Sequence, residues 1–301
     1  MAEKHHLDHT PFLVKPGKKF KLADYDPAYT AGFTNKKEAK EALLEDVTEL
    51  AAAQELIWAS GQYAVLIIFQ ALDAAGKDGT IKHVMSGVNP QGVDVTGFRA
   101  PTEEERKHHF LMRPMRRLPE HGRIAIFNRS YYEEVLVVRV HPHFLYSQWQ
   151  PRRLQNVDLD KVWRARYQEI NEFEAMVAHT DTLILKFFLN VSKEEQRQRF
   201  LDRLNDPAKR WKFAVGDYHE RQHWDEYQQA YQEMLQATST EVAPWYVVPA
   251  DNKWFMRACV ADIITARIQE LNLSLPVVSE EKMAELTAVK QQIEAEKHKV
   301  L

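Results

Sequence analysis

Apolar and polar positions divide the chain into alternating strands and helices. Residues 63–69, Tyr-Ala-Val-Leu-Ile-Ile-Phe, form one continuous run, as a strand covered on both faces of a parallel sheet should. Shorter β-rich segments follow at 92–98, 123–128, 182–190 and 245–249, separated by mostly helical stretches. Strands alternating with helices predict an α/β protein built on a parallel sheet. Ahead of the first strand, Asn35 with Glu38 three positions on marks a helix start. Leu43, Val47, Leu50 and Ile57 then recur at helical spacing, so an amphipathic helix is expected to reach Ser60 and pack on the core.

The flanking regions are polar. Residues 1–34 carry turn formers and Lys15, Lys18, Lys19 and Lys21, and read as an extended arm. Residues 192–243 are dense in Arg, Lys, Gln and aromatics and open on a capping box, Ser192 to Glu195; a nucleotide kinase carries its lid at this position. The tail from Ser279 alternates charge and reads as a solvated helix. The expected organisation is an arm and helix over 1–60, a core over 61–278 with its lid at about 192–243, and a terminal helix over 279–301.

A chain of 301 residues, 45% hydrophobic, can bury one large core or a core plus a small mobile subdomain. A net charge of -3 argues against a general nucleic-acid binder, whereas local clusters of Lys and Arg suit a compact polyanion. Cys259 is the single cysteine, so no intrachain disulfide is expected; it reads as a buried hydrophobe in a reducing compartment. The residues from Met1 to His6 lack the apolar stretch of a signal peptide, and the run at 64–69 is too short to span a bilayer, so a soluble cytoplasmic protein is expected.

The chemistry gathers where the first strand ends. Ala71-Leu72-Asp73-Ala74-Ala75-Gly76-Lys77-Asp78-Gly79-Thr80 is a small-residue loop closing on Gly-Lys and running into a helix, the build of a phosphate-binding loop. Ala71 stands where the usual pattern has its first Gly, and Asp78 and Gly79 separate Lys77 from Thr80. A carboxylate at Asp73 beside phosphates calls for a cation between them, which points to Mg²⁺. At the end of the 123–128 segment stand Asn128, Arg129 and, five positions after Asn128, Glu133; open α/β sheets bind ligands at such strand ends, and Arg129 can clamp a phosphate. Lys82, Arg113, Arg116 and Arg117 add positive charge, as do Arg197, Arg199, Arg203 and the run Lys209-Arg210-Trp211-Lys212 in the lid block. His219-Glu220-Arg221-Gln222-His223 has the zinc-protease spacing, but crowding by Tyr218, Arg221 and Trp224 favours ordinary surface histidines.

On the 72–80 loop, the stretch Gly87-Val88-Asn89-Pro90-Gln91-Gly92, the segment 128–137 and the lid stretch 203–225, the chain closely resembles the polyphosphate kinase 2 family over most of its length. The resemblance implies an α/β P-loop kinase fold, a three-layer sandwich with a five-stranded parallel sheet of thymidylate-kinase type and a helical lid. It implies reversible, Mg²⁺-dependent transfer of the terminal phosphate of inorganic polyphosphate to a nucleotide, with Mn²⁺ as a substitute metal. Asp73, Lys77, Asn128, Arg129 and Glu133 would be catalytic, Asp73 and Asn128 holding the metal. Ala74, Ala75, Gly76, Asp78, Gly79 and Thr80 would cradle phosphates, and Lys82, Arg116, Arg117, Arg199 and Arg203 would bind the polyanion, with Lys18 and Lys19 as further candidates. Asn128, in place of the Asp of the ADP-specific class, together with Glu133, is associated with accepting both AMP and ADP. The implied partners are polyphosphate, adenine nucleotides with guanine as a second candidate, and further copies of the chain in a dimer or tetramer. An ATP-dependent nucleoside monophosphate kinase, or a P-loop module that binds without turnover, remain the alternatives.

Overall fold

The computed structural model describes residues 7–150 and 158–296. The expectations for the first six residues and for the end of the terminal helix lie outside that range. Among the described residues six strands form one sheet: β1 (Leu13–Val14), β2 (Ala64–Gln70), β3 (Val93–Gly97), β4 (Ile124–Asn128), β5 (Thr182–Asn190) and β6 (Trp245–Pro249). Their order is β1-β6-β5-β2-β4-β3. The continuous apolar run is thus the central strand, buried at all seven of its residues between β5 and β4.

The expected five parallel strands are present, and the sheet has one more. β1 pairs antiparallel with β6, Leu13 opposite Tyr246, so the count of five is corrected to six. The extended arm is consequently a docked segment: Phe12, Val14, Phe20 and Leu22 are buried. It covers the free edge of β6, which would otherwise present unpaired backbone groups.

Among the described residues there are eight longer helices: α1 (Lys36–Ser60), α2 (Lys77–Val84), α3 (Leu159–Ala178), α4 (Lys193–Asn205), α5 (Val215–Gln222), α6 (Trp224–Thr238), α7 (Lys253–Gln269) and α8 (Glu280–Glu296). Asn35 caps α1, its Oδ1 accepting from Lys37 N and Glu38 N at 2.9 and 3.1 Å. Side chains of β2 alternate between two cores. Val65, Ile67 and Phe69 meet Leu50 and Ile57 of α1, Ile81 of α2 and Ile263 of α7, while Leu66 and Ile68 meet Trp163 and Ile170 of α3 and Tyr231 and Leu235 of α6. The result is a helix–sheet–helix sandwich.

The second half of the expected lid block belongs to the core. Tyr227, Ala230, Tyr231, Met234 and Leu235 of α6 are buried at helical spacing, so the stretch left over the sheet end is roughly 206–222, with α5 burying none of its residues. α8 is exposed throughout, as expected of a solvated helix. No helix among the described residues is long and apolar enough to cross a membrane.

Candidate active site

The loop from β2 to α2 turns sharply, with Ala74 at φ 62° and Gly76 at φ 116°. A side chain at Gly76 would be strained there and would also stand 3.0 Å from Met256 Cε. Gly76 occupies the N-cap of α2 and supplies no side-chain bond, so the first N–H groups of the helix are left without an intrahelical acceptor. Such an end attracts anions.

Lys77, the first residue of α2, is 8% exposed and folds back, donating from Nζ to the Ala71 carbonyl at 2.8 Å. Burial pulls its pKa from 10.5 down to about 8; the Arg129 guanidinium acts in the same sense, against the carboxylates of Asp73, Glu133 and Asp78.

β4 delivers its residues beside the loop. Asn128 Nδ2 donates to Asp78 Oδ1 at 2.7 Å, and Arg129, in the left-handed region at φ 64°, donates from Nη2 to Asp73 Oδ1 at 2.6 Å. Gln70 is fully buried at the end of β2, and with its amide oriented to satisfy both neighbours it accepts from Ser130 N and Oγ at 3.1 Å each and donates to Glu133 Oε1 at 3.0 Å. The pKa of Glu133 lies above its ordinary value, first through burial and then through Asp73, with Arg129 and Lys77 opposing. The turn carrying Glu133 is anchored from below: the hydroxyls of Tyr131 and Tyr132 donate to Glu174 Oε1 at 2.7 and 2.6 Å, and the buried Lys186 donates to Glu174 Oε2 at 2.6 Å and to the Thr238 carbonyl at 2.7 Å. Every charge in that network has a partner, which fixes the turn rigidly.

Asp73, Arg129 and Glu133 face a cavity of about 460 Å³. Phe98, Phe110, Pro114 and Val138 form apolar wall, Arg99, Arg106 and Arg113 line the same cavity, and α5 closes over it with Asp217, Glu220 and Arg221. The Asp217 pKa is raised by burial and by the Asp73 carboxylate. A relay ties α5 to the loop: Arg221 Nη1 donates to Gln196 Oε1 at 2.8 Å, and Gln196 Nε2 donates to the Asp73 carbonyl at 2.9 Å. A further latch joins His141 Nε2 and the Tyr227 hydroxyl to Glu220 Oε2, at 2.9 and 2.6 Å.

Among the described residues no three His, Cys, Asp or Glu side chains converge as a preformed metal cage. The donor set still fits Mg²⁺. Asp73 engages Arg129 through one carboxylate oxygen and keeps the other, Asn128 engages Asp78 through its NH₂ and keeps its carbonyl oxygen, and Mg²⁺ is commonly held by one or two protein oxygens plus phosphate and water.

Sequence reasoning brought together Asp73, Lys77, Asp78, Asn128, Arg129 and Glu133, and these do meet. Arg199 was expected to close on phosphates, and here the structure requires a correction. At 3% exposure it sits behind the loop, with Nη1 donating to the carbonyls of Ala74 and Ala75 at 3.0 and 2.6 Å, Nη2 to those of Ala250 and Asp251 at 2.6 and 3.1 Å, and Nε to Glu195 Oε1 at 2.7 Å. All its donors are used. Arg116 and Arg117 are exposed and lie outside the cavity wall, Lys82 is exposed on α2, and Arg203 is half-buried on α4. Lys18 and Lys19 line a different cavity, of about 500 Å³, beneath the N-terminal arm. Gln70, Arg99, Arg106, Gln196 and Asp217 were not singled out in the sequence, and no local pattern marks them. His223 lies between the end of α5 and the start of α6, so the two histidines of the zinc-like motif do not share one helix, and His223 packs on His141 instead, ring centroids 4.9 Å apart.

The family model described as Polyphosphate kinase 2 (PPK2) matches residues 33–275. An ADP-polyphosphate phosphotransferase of Rhodopseudomonas palustris is 45% identical over 282 residues, covering 94% of this chain and 97% of that protein. An AMP/ADP-polyphosphate phosphotransferase of Meiothermus ruber is 45% identical over 266 residues, covering 88% of this chain and 94% of its own. The crystal structure of polyphosphate kinase 2 from Arthrobacter aurescens superposes with a TM-score of 0.85 at 38% identity, over 96% of this chain and 99% of that one.

Proposed function

The chain belongs to the polyphosphate kinase 2 family, and from that premise we propose that it transfers the terminal phosphoryl group of inorganic polyphosphate to AMP and to ADP. An oxygen of the acceptor's last phosphate bonds to the terminal phosphorus of the chain. The bond from that phosphorus to its bridging oxygen breaks, and the shortened polyphosphate leaves with the electron pair. The observation that carries the reading is the Asp73–Arg129 contact at 2.6 Å, which joins the loop and the end of β4 beside Lys77 and opens onto the cavity.

The nucleophile is an ionised phosphate oxygen, so no strong general base is needed, and positioning with charge neutralisation is enough. The apolar wall of Phe98, Phe110, Pro114 and Val138 suits a nucleobase, with Arg99, Arg106 and Arg113 at hand for its phosphates. Arg129 and Lys77 would neutralise the group in flight, Arg129 exchanging Asp73 for phosphate and Lys77 exchanging the Ala71 carbonyl. Asp73 and Asn128 would hold Mg²⁺, which neutralises charge building on the phosphate oxygens. The stretch 206–222 acts as the lid and α5 excludes water from the cavity through the Arg221–Gln196 relay and the His141–Glu220 latch. Acceptance of AMP as well as ADP rests on the neutral Asn128 beside Glu133.

The test supplies AMP and Mg²⁺ with either long-chain polyphosphate or ATP as donor and resolves the nucleotides over time. ADP followed by ATP from polyphosphate is expected. Transfer from ATP alone would assign the site to an ordinary nucleoside monophosphate kinase.

A further inference from the structure

The hydroxyl of a buried tyrosine normally finds a hydrogen-bond partner. Tyr131 and Tyr132 donate to Glu174 Oε1, Tyr227 donates to Glu220 Oε2 at 2.6 Å, and Tyr167 accepts from Arg139 Nη1 at 2.8 Å. Tyr231 and Tyr246 are as deeply buried, at 3% and 4% exposure, yet among the described residues neither hydroxyl has a hydrogen-bond partner. Tyr246 stands beside Arg267 and Glu270 and lines neither cavity described above. Tyr231 lines the cavity that holds Asp73, Arg129 and Glu133.

The ring of Tyr231 is fixed. It lies one helical turn after Tyr227 on α6 and packs on Phe188 of β5, centroids 4.4 Å apart. Burial, then the carboxylates of Glu133 and Asp73, hold its pKa well above the ordinary value against the Arg129 guanidinium, so the side chain remains a neutral phenol. The charged groups around it are engaged with each other: Asp73 with Arg129 at 2.6 Å, and Glu133 Oε1 with Gln70 at 3.0 Å. Tyr231 therefore contributes an unspent donor to a wall otherwise rich in carboxylate. On the proposed reading, the acceptor's last phosphate enters this space. A carboxylate at Glu133 repels it, whereas a neutral hydroxyl on the same wall gives its oxygens an attractive contact without adding charge.

We propose that Tyr231 is a further catalytic residue, its hydroxyl donating to a non-bridging oxygen of the acceptor's last phosphate and so aiming the attacking oxygen at the moving phosphorus. The phenol keeps its proton throughout, and the bonds made and broken are those given above. The inference rests on the proposed function for the group transferred, and on the cavity alone for the acceptor.

Titration calorimetry of the full chain with AMP and Mg²⁺, without any phosphate donor, reads the contact apart from turnover. Tyr231→Phe should raise the AMP Kd about ten- to hundredfold, the worth of a hydrogen bond to a charged group, and lower kcat/KM for AMP by at least that factor. The adenosine Kd should stay within about twofold, because adenosine lacks the phosphate. Tm should hold, since the hydroxyl has no partner to lose in the free protein. Tyr246→Phe removes the other unpartnered hydroxyl and should leave both Kd and rate at parental values. A parental AMP Kd in Tyr231→Phe overturns the proposal, as does an equal weakening of AMP and adenosine, which would make the ring a wall for the base. Adding Tyr231→Phe to Glu133→Gln should weaken AMP binding again; no further loss would mean that the hydroxyl serves Glu133 and not the phosphate, and would also overturn it. A parent that binds AMP through Tyr231 yet takes phosphate from ATP alone would retain the residue and sink polyphosphate as the donor.

Discussion

Arg199 donates through Nη1 to the carbonyl of Ala75 at 2.6 Å, from the side of the β2–α2 loop that faces away from the cavity. Its other bonds run to Glu195, Ala74, Ala250 and Asp251, so a single guanidinium pins the loop after β2 to the turn after β6. Lys cannot reproduce this planar fork. Arg199→Lys should therefore lower kcat about ten- to hundredfold and also lower the urea midpoint, because buried carbonyls and Glu195 lose partners at a cost of about 1–3 kcal/mol for each group left unmet. An unchanged midpoint with a large rise in polyphosphate KM would return Arg199 to the role of phosphate ligand.

The sequence made the sheet legible wherever burial on both faces produced an unbroken apolar run, as in β2, and in β5 the apolar residues on either side of the buried Lys186 carried the same signal. β1 gave no such signal, since two residues cannot show a period and its pairing depends on the distant edge of β6. α6 was hidden by composition: glutamines and acids on its outer face obscured Tyr227, Tyr231, Met234 and Leu235, whose spacing alone would have placed it in the core. The site divides in the same way. Loop and strand-end residues are local in sequence and were found. Arg199 could not be assigned, because an arginine bonding phosphate and one bonding carbonyls behind it look alike until the fold shows which side of the loop it occupies.

Lys77 carries a pH prediction. With a pKa near 8 in the free protein, its ammonium is lost above about pH 8, so kcat/KM should fall there, while kcat, reporting the phosphate-bound state, should hold to higher pH. For stability the sign is opposite: between about 8 and 10.5 the unfolded chain keeps a proton that the folded one has released, so this group's contribution to stability rises with pH over that window. Lys77→Met should abolish transfer without lowering Tm at pH 7, since it removes a buried charge. Substantial turnover in that variant would sink the phosphate-loop assignment.

Asp46 behaves differently. It is 2% exposed on α1, one carboxylate oxygen has no partner, and burial together with Asp262 of α7 and with Glu49 and Glu45 raises its pKa from 3.8 to about 8. The folded state keeps a proton that the unfolded state has lost, so its contribution is full below about pH 4 and is lost as pH rises through about 8. His9, close to Asp262, joins the same cluster. Asp46→Asn stays neutral at every pH, and should be more stable than the parent at pH 9 and show a flatter stability profile in urea titrations at pH 5, 7 and 9. Parallel profiles would mean that Asp46 is ionised throughout.

The acceptor preference turns on Asn128. Its NH₂ lies 2.7 Å from Asp78 Oδ1, in the first turn of α2 beside Lys77. Asn128→Asp removes that donor and sets two carboxylates against each other where, on the proposed reading, phosphates and Mg²⁺ would fit. Repulsion in a partly dry site is worth roughly 1 to 3 kcal/mol, enough to change a ratio of kcat/KM about five- to a hundredfold. If the neutral amide is what admits AMP, N128D should depress AMP phosphorylation more than ADP phosphorylation. A second variant separates charge from geometry: adding Asp78→Asn to N128D restores a donor and an acceptor across the same gap while keeping the carboxylate at position 128. The double variant should recover rate yet retain the shifted preference. An equal loss for both acceptors in N128D, repaired for both by D78N, would make Asn128 a residue that holds α2 against β4 and would detach acceptor choice from this position.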